Sequence, residues 1–260
     1  MIFEKPSTRT RISFEVGMKK LNGDVVVLDQ HDSQLGRGES LQDTIKVLGR
    51  YIDIILYRGS DEKKLYKISE SSNIPIINGL TNNSHPCQIV ADIMTLEENF
   101  KDINKLKICW VGDGNNVARS LAIACSLLGM RFILVAPKQY QFDDSFKKRV
   151  ASLVPEAQIK QTEDPTAAVQ DAVAVYTDVW ASMGQEKERE IRQKAFRPYQ
   201  INAQLMAHCP NALFMHCLPA RRGEEVTDEV IDGKQSVVVT QAANRMHVQK
   251  GLLAWLLGHR

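Results

Sequence analysis

Short apolar runs alternate with stretches of helical period along most of this chain, and that alternation limits the fold more than any other feature. The runs fall at residues 25–28, 52–56, 74–77, 107–111, 131–135, 157–160, 172–176, 213–215 and 236–239. Ile2 and Phe3 read as the end of one more strand. Between the runs, residues 7–21 place Phe14, Met18 and Leu21 on one stripe, with Gly23 beyond the end. Residues 40–51 place Leu41, Ile45 and Leu48 on one face, with Ser40 as cap and Asp43 three positions on. Strands separated by helices pair in parallel, so the expected fold is α/β, with mainly parallel sheets flanked by helices.

A chain of 260 residues is long enough for one large domain or two lobes. Gly, Pro and Asn cluster at 78–86, and an amphipathic helix then runs to about Asn99 through Ile89, Ile93 and Leu96. A charged stretch at 101–107 leads into a new strand–helix unit. The expected division is a first lobe at 1–98 and a second at 99–240, joined by interdomain helices, with a last helix at 241–260 returning to the first lobe.

Charge excludes some partners. Lys plus Arg number 33 and Asp plus Glu 31, a net +2, which gives no electrostatic footprint for nucleic acid or an acidic membrane. No apolar run is long enough to span a bilayer. The five cysteines (Cys87, Cys109, Cys125, Cys209 and Cys217) are widely spaced with no CxxC, which fits a reducing cytoplasmic compartment.

Several phrases carry chemistry. Ser7, Thr8, Arg9, Thr10 and Arg11 follow a strand end and open a helix. The plain alternative is a well-capped helix start. Two arginines in a first turn oppose the helix dipole, however, and a bound phosphate would offset that cost. Arg11 also suits a structural ion pair. Arg58 closes the run 52–56, at the strand edge where open α/β sheets bind ligands. His85 and Gln88 flank a loop-to-helix junction and offer a donor to a carbonyl and a carboxamide reader.

Residues 112–116 read Gly-Asp-Gly-Asn-Asn after a strand. This begins a dinucleotide fingerprint, but no third glycine follows and no acidic residue closes the next strand. Asn115 and Asn116 suit a small carboxylate or amine instead. Asp178 stands at another strand end and suits a cationic group, with Ser182 and Gly184 in the loop beyond; Trp180 reads equally as core. His216 and Cys217 are adjacent. On an extended chain they point to opposite sides, and with no second ligand pair at metal spacing no metal is expected.

Taken together these phrases resemble the aspartate and ornithine carbamoyltransferase family. They are Phe-Glu-Lys-Pro-Ser-Thr-Arg-Thr-Arg at 3–11, Gln-Leu-Gly-Arg-Gly-Glu-Ser at 34–40, His-Pro-Cys-Gln at 85–88 and Gly-Asp-Gly-Asn-Asn at 112–116. Asp-Val-Trp-Ala-Ser-Met-Gly at 178–184, His-Cys-Leu-Pro at 216–219 and Ala-Asn-Arg-Met-His at 243–247 complete the set. The Ser-Met-Gly and His-Cys-Leu-Pro phrases are those of the ornithine branch. Family members carry a further N-terminal segment that these 260 residues lack.

The resemblance implies a metal-free, cofactor-free transfer of the carbamoyl group of carbamoyl phosphate to the δ-amine of L-ornithine. It implies that Ser7, Thr8, Arg9, Thr10 and Arg58 hold the phosphate, and that Thr10, Arg58 and His85 reach the carbonyl oxygen. Gln88, the backbone of Cys217 and Leu218, and Arg245 position the carbamoyl group. Asn116, Asp178, Ser182 and Met183 bind the amino-acid end of ornithine, and Cys217 and Asp178 lie near the reacting amine. A homotrimer is implied, in which the loop around Gln34 reaches a neighbour's phosphate site.

Three rivals stand beside this reading. A sister transferase for aspartate, putrescine or an acylated ornithine is disfavoured by residues 182–184. A nucleotide-dependent oxidoreductase is disfavoured by the incomplete fingerprint. A truncated, non-catalytic binding protein is disfavoured by the surviving motifs.

Overall fold

The computed structural model describes residues 1–29, 39–181 and 186–258. The chain groups into two compact units, Met1–Ala91 with Ala243–Arg260, and Asp92–Ala242. Among the described residues no helix is long and apolar enough to cross a membrane.

Unit 1 holds a four-stranded sheet of β1 (Ile2–Phe3), β2 (Leu28–Asp29), β3 (Ile55–Arg58) and β4 (Ile76–Leu80). The order is β2-β1-β3-β4 and every pairing is parallel. Helices α1 (Thr8–Lys19), α2 (Leu41–Leu48) and α3 (Glu62–Glu70) fall between the strands, and α4 (Pro86–Asn99) begins after β4. Parallel strands buried on both faces need two cores. One gathers Ile2, Leu41, Ile45, Ile55, Tyr57, Leu65 and Ile68. The other gathers Phe3, Phe14, Leu56, Ile77, Cys87 and, from the last helix, Leu253. Each fully buried aliphatic side chain here contributes about 1.5–3 kcal/mol against exposure. Capping follows sequence: the Ser7 hydroxyl accepts from the Thr10 N–H at 3.3 Å, and the Ser40 hydroxyl from the Asp43 N–H at 3.1 Å.

Unit 2 holds β5 (Lys107–Val111), β6 (Arg131–Val135), β7 (Gln158–Thr162), β8 (Ala174–Thr177) and β9 (Leu213–His216) in the parallel order β7-β6-β5-β8-β9. Helices α5 (Asn116–Leu127), α6 (Asp144–Leu153), α7 (Pro165–Val169), α8 (Arg189–Phe196) and α9 (Ala203–Met206) connect them, and α10 (Asp228–Ile231) follows β9. The last helix, α11, spans Val238–Leu256.

The expected strand at 236–239 is not one. Ser236 makes a single bridge to Phe214, and α11 starts at Val238. The β-branched run misleads because it covers a helix entry: Val238 is buried while Val239 is 79% exposed. The run at 25–28 also shortens, since only Leu28 and Asp29 pair.

Candidate active site

In each sheet the strand order turns back once, and at such a point the loops leaving two neighbouring strands run in opposite directions and open a crevice. In unit 1 the turning point lies between β1 and β3, which both border it in parallel. Residues 4–7 follow β1 into the capped start of α1, and Arg58 is the last residue of β3. Thr10 is fully buried in the first turn of α1. Its hydroxyl accepts from Arg245 Nη2 at 2.8 Å and lies 3.5 Å from Arg58 Nη1, which also reaches the Gly79 carbonyl at 3.4 Å. Arg58 and Arg245 are 6% and 4% exposed. Two buried guanidiniums converging on one hydroxyl concentrate positive charge that a bound anion would neutralise.

His85, the residue before α4, is also buried. Burial first, and the Arg245 and Arg58 charges second, hold it well below the usual histidine range. At neutral pH it is therefore an uncharged imidazole with one N–H to donate. Gln88 is buried in the first turn of α4. Ser7 is half-buried, and Thr8 and Arg9 are exposed on α1. Arg11 lies 4.0 Å from Asp29 on the surface. Gln34 lies outside the described residues.

In unit 2 the turning point lies between β5 and β8. Gly114 passes so close to the Tyr140 carbonyl that a Cβ there would stand 2.9 Å from it, and only glycine fits. Asn115 caps α5, its Oδ1 accepting from the Val117 and Ala118 N–H groups at 3.0 and 3.1 Å. Its Nδ2 donates to Asp178 Oδ2 at 2.8 Å, so the cap also aims the carboxylate that follows β8. Asp178 is buried and accepts from the Val179 N–H at 2.8 Å. Asn116 is half-buried as the first residue of α5. Trp180 is core, stacked on Phe196. Ser182 and Met183 lie outside the described residues.

His216 and Cys217 do not point apart. A ring nitrogen of His216, the Cys217 thiol and an Asp178 carboxylate oxygen all lie within 4.8 Å of one another. Alternation holds only inside a strand; β9 ends at His216, and the chain turns through Leu218 at φ 57°. These three groups could hold a cation, but the imidazole is already engaged. Its Nδ1 accepts from the Leu218 N–H at 2.8 Å and its Nε2 faces Glu225 Oε1 at 3.1 Å. A metal would have to displace one of those partners.

Two functional neighbours escape sequence reading. Glu225, fully buried, orients His216 and accepts from the Arg221 N–H at 2.6 Å; in sequence it sits in the charged run 221–225 and reads as solvated. Arg192 ties three segments together. It donates to Asp113 Oδ2 at 2.9 Å and the Trp180 carbonyl at 3.2 Å, and lies 4.8 Å over the Tyr140 ring. Burial pushes the Asp113 carboxyl above its usual range while Arg192 pulls the other way. No spacing in the sequence marks this residue.

Residues 104–256 match the Asp/Orn binding domain of aspartate/ornithine carbamoyltransferases, and residues 1–98 match the carbamoyl-P binding domain of the same family. The chain is 50% identical to an ornithine carbamoyltransferase of Pyrococcus abyssi, with 99% of this chain and 82% of that protein covered. It is 50% identical to the anabolic ornithine carbamoyltransferase of Pyrococcus furiosus, over 99% of this chain and 83% of that one. It resembles the solved ornithine carbamoyltransferase of Pyrococcus furiosus with a TM-score of 0.94 at 49% identity, over 100% of this chain and 84% of the other.

Proposed function

The chain belongs to the aspartate/ornithine carbamoyltransferase family, and from that premise we propose that unit 1 supplies the charges for carbamoyl phosphate and unit 2 the groups for ornithine. The reaction is transfer of the carbamoyl group from carbamoyl phosphate to the δ-amine of ornithine, giving citrulline and phosphate in arginine biosynthesis. The observation that carries the division is the meeting of Arg58 and Arg245 at Thr10 in unit 1, against the Asp178, His216 and Cys217 cluster in unit 2.

On this reading Ser7, Thr8, Arg9, Thr10 and Arg58 hold the phosphate. The reaction forms a C–N bond at the carbamoyl carbon and breaks the C–O bond to phosphate, through a tetrahedral oxyanion. Thr10, Arg58 and neutral His85 donate to the oxygen that gains charge, which is worth most in a site that excludes water. Gln88 and Arg245 orient the carbamoyl group. The Leu218 N–H is taken by His216, so the backbone of Cys217 and Leu218 meets the carbamoyl amide through carbonyl oxygens.

Asn116, Asp178, Ser182 and Met183 take the amino-acid end of ornithine. The δ-amine titrates near 10.4 in water, and attack needs its neutral form; Asp178 and Cys217 stand beside the amine as it sheds its proton. An assay for phosphate and for the carbamoylated product, with ornithine, aspartate and putrescine as rival acceptors, tests this. Citrulline from ornithine is expected, with no carbamoylated product from the other two, and equal turnover of another amine would contradict it.

The reading includes a homotrimer with Gln34 acting on a neighbour's phosphate site, and a cytoplasmic location. Support for self-association comes from α1. Arg9, Ile12 and Val16 share one helical face, and in the single chain Ile12 is 56% and Val16 37% exposed. Support for the location is that no disulfide joins the described cysteines. Mixing Gln34→Ala chains with Arg9→Ala chains tests the trimer. Activity returns on reassembly if one site borrows from the next chain, and stays lost if it does not.

A further inference from the structure

Asp92, Gln241 and Tyr176 form a buried network in unit 2 that none of the substrate assignments uses. Asp92 and Tyr176 are fully buried, as is Gln241. The Tyr176 hydroxyl donates to Asp92 Oδ2 at 3.1 Å. Gln241 Nε2 donates to Asp92 Oδ1 at 2.6 Å and to the Tyr176 oxygen at 3.0 Å. Gln241 Oε1 accepts from the His216 backbone N–H at 3.0 Å. We propose that Asp92 and Gln241 are positioning residues for the acceptor amine, fixing the ends of β8 and β9 and, through them, the Asp178 carboxylate and the Cys217 thiol.

Strand β9 is the edge strand of its sheet, so the N–H groups on its outer side need partners. Phe214 finds one in the Gln235 carbonyl at 2.7 Å. Two residues on, the His216 N–H finds the Gln241 side chain instead, and the ladder ends there. The next residue is Cys217.

On the neighbouring strand, Tyr176 lies in register with Met215 and Thr177 with His216. Tyr176 is two residues before Asp178. The network therefore grips both strands one or two residues ahead of the groups that face the amine.

The carboxylate decides which way Gln241 lies. A side-chain amide has one donor end and one acceptor end of nearly equal shape. Asp92 only accepts when ionised, so it draws Nε2 and leaves Oε1 for the backbone N–H. Turned over, the amide would set oxygen against oxygen at Asp92 and N–H against N–H at His216. Tyr176 stays a donor throughout: burial first, and the neighbouring Asp92, Cys217 and Asp178 side chains after it, hold its hydroxyl well above the usual phenol range. A buried network of this kind specifies geometry when every member is satisfied.

The proposal rests on the assignment of Asp178 and Cys217 to the ornithine side. The test compares the whole enzyme with Asp92→Asn, Gln241→Met, Tyr176→Phe, the double variant Asp92→Asn/Gln241→Glu and Asp178→Asn. It reads KM and kcat for each substrate, with folding checked by circular dichroism. Asp92→Asn and Gln241→Met should each raise the ornithine KM by about tenfold, the cost of one misdirected buried polar group; because the Cys217 and Leu218 carbonyls also meet the carbamoyl amide, the carbamoyl phosphate KM should rise too, but by about threefold at most. In the double variant donor and acceptor trade places while His216 keeps its acceptor, so the ornithine KM should return to within about threefold of the parent.

Merely structural damage would change the amount of folded enzyme and would not discriminate between substrates. Unchanged ornithine constants in folded Asp92→Asn, equal shifts for both substrates, or a double variant no better than the single would overturn the proposal. If Asp92→Asn does not fold, Tyr176→Phe decides: it removes one hydroxyl, and a rise in ornithine KM below about twofold overturns the proposal. If Asp178→Asn itself spares ornithine, the assignment of the acceptor side is what fails.

Discussion

The two units build their crevices alike and fill them with opposite charge. Between β1 and β3 the first unit gathers Arg58 and Arg245 at the buried Thr10 hydroxyl, with a neutral His85 within reach of both charges. Between β5 and β8 the second gathers Asp178 and Asp113, with Cys217 and the His216–Glu225 pair at the end of β9. Asp178, Asp113 and Glu225 each meet a donor: Asn115, Arg192 and the Arg221 N–H, respectively. Architecture sets where a ligand can sit, and the side chains at the strand ends set which ligand it is. A dianionic phosphate suits the first crevice and an amino acid bearing a second amine suits the other.

The sharpest way to break that contrast is to discharge unit 1. Arg58→Gln removes a buried guanidinium from the proposed phosphate contact, an effect of about 2–5 kcal/mol. A fall of about 10²–10³-fold in kcat/KM for carbamoyl phosphate should appear in steady-state kinetics, with a much smaller change in ornithine KM. An equal loss on both substrates would blur the division.

A smaller effect belongs to the thiol. Cys217→Ala deletes a weak donor and acceptor, so kcat should fall by about tenfold, or about 1.4 kcal/mol of barrier. A fall as large as that of Arg58→Gln would make the thiol a central participant rather than a neighbour of the amine.

The last effect is in stability rather than activity. His85 is held below its unfolded value, so the unfolded chain binds a proton that the folded chain refuses between those two values. The stability it contributes is complete above the unfolded pKa of about 6.5 and is lost as pH falls toward the folded value, by at most about 1.4 kcal/mol per pH unit. Denaturant unfolding from about pH 7 to 5 should show that slope flattened in His85→Gln by about one proton equivalent. An unchanged slope would mean that His85 binds its proton equally in the folded and unfolded chains.

Much of this is legible in the sequence. Ser7 and Ser40 cap the helices that their spacing implied, and parallel pairing follows from strands that alternate with helices. Arg58 and Asp178 stood at strand ends, where a ligand crevice forms. What stayed hidden depends on contacts distant in sequence. Thr10 meets a guanidinium 235 residues away. Glu225 reads as a surface charge until His216 is seen against it. The period-2 rule failed for His216 and Cys217 because the strand stops between them, and the left-handed Leu218 has no glycine to announce it. The valines at 237–239 carried strand propensity into what became a helix start, where tertiary context outweighs local preference.

The division of labour itself is tested most directly by crossing two ligands with two variants in a titration calorimeter. Arg245→Gln and Asp178→Asn would each be titrated with carbamoyl phosphate, and then, at saturating carbamoyl phosphate, with norvaline, which resembles ornithine without its δ-amine. Arg245→Gln should weaken carbamoyl phosphate by at least about 30-fold, or about 2 kcal/mol, and Asp178→Asn should leave it within about twofold. Norvaline should show the reverse order, weakened by about tenfold or more in Asp178→Asn and within about threefold of the parent in Arg245→Gln. If the two variants weaken both ligands alike, the charges of the two units do not sort the two substrates, and the account is wrong.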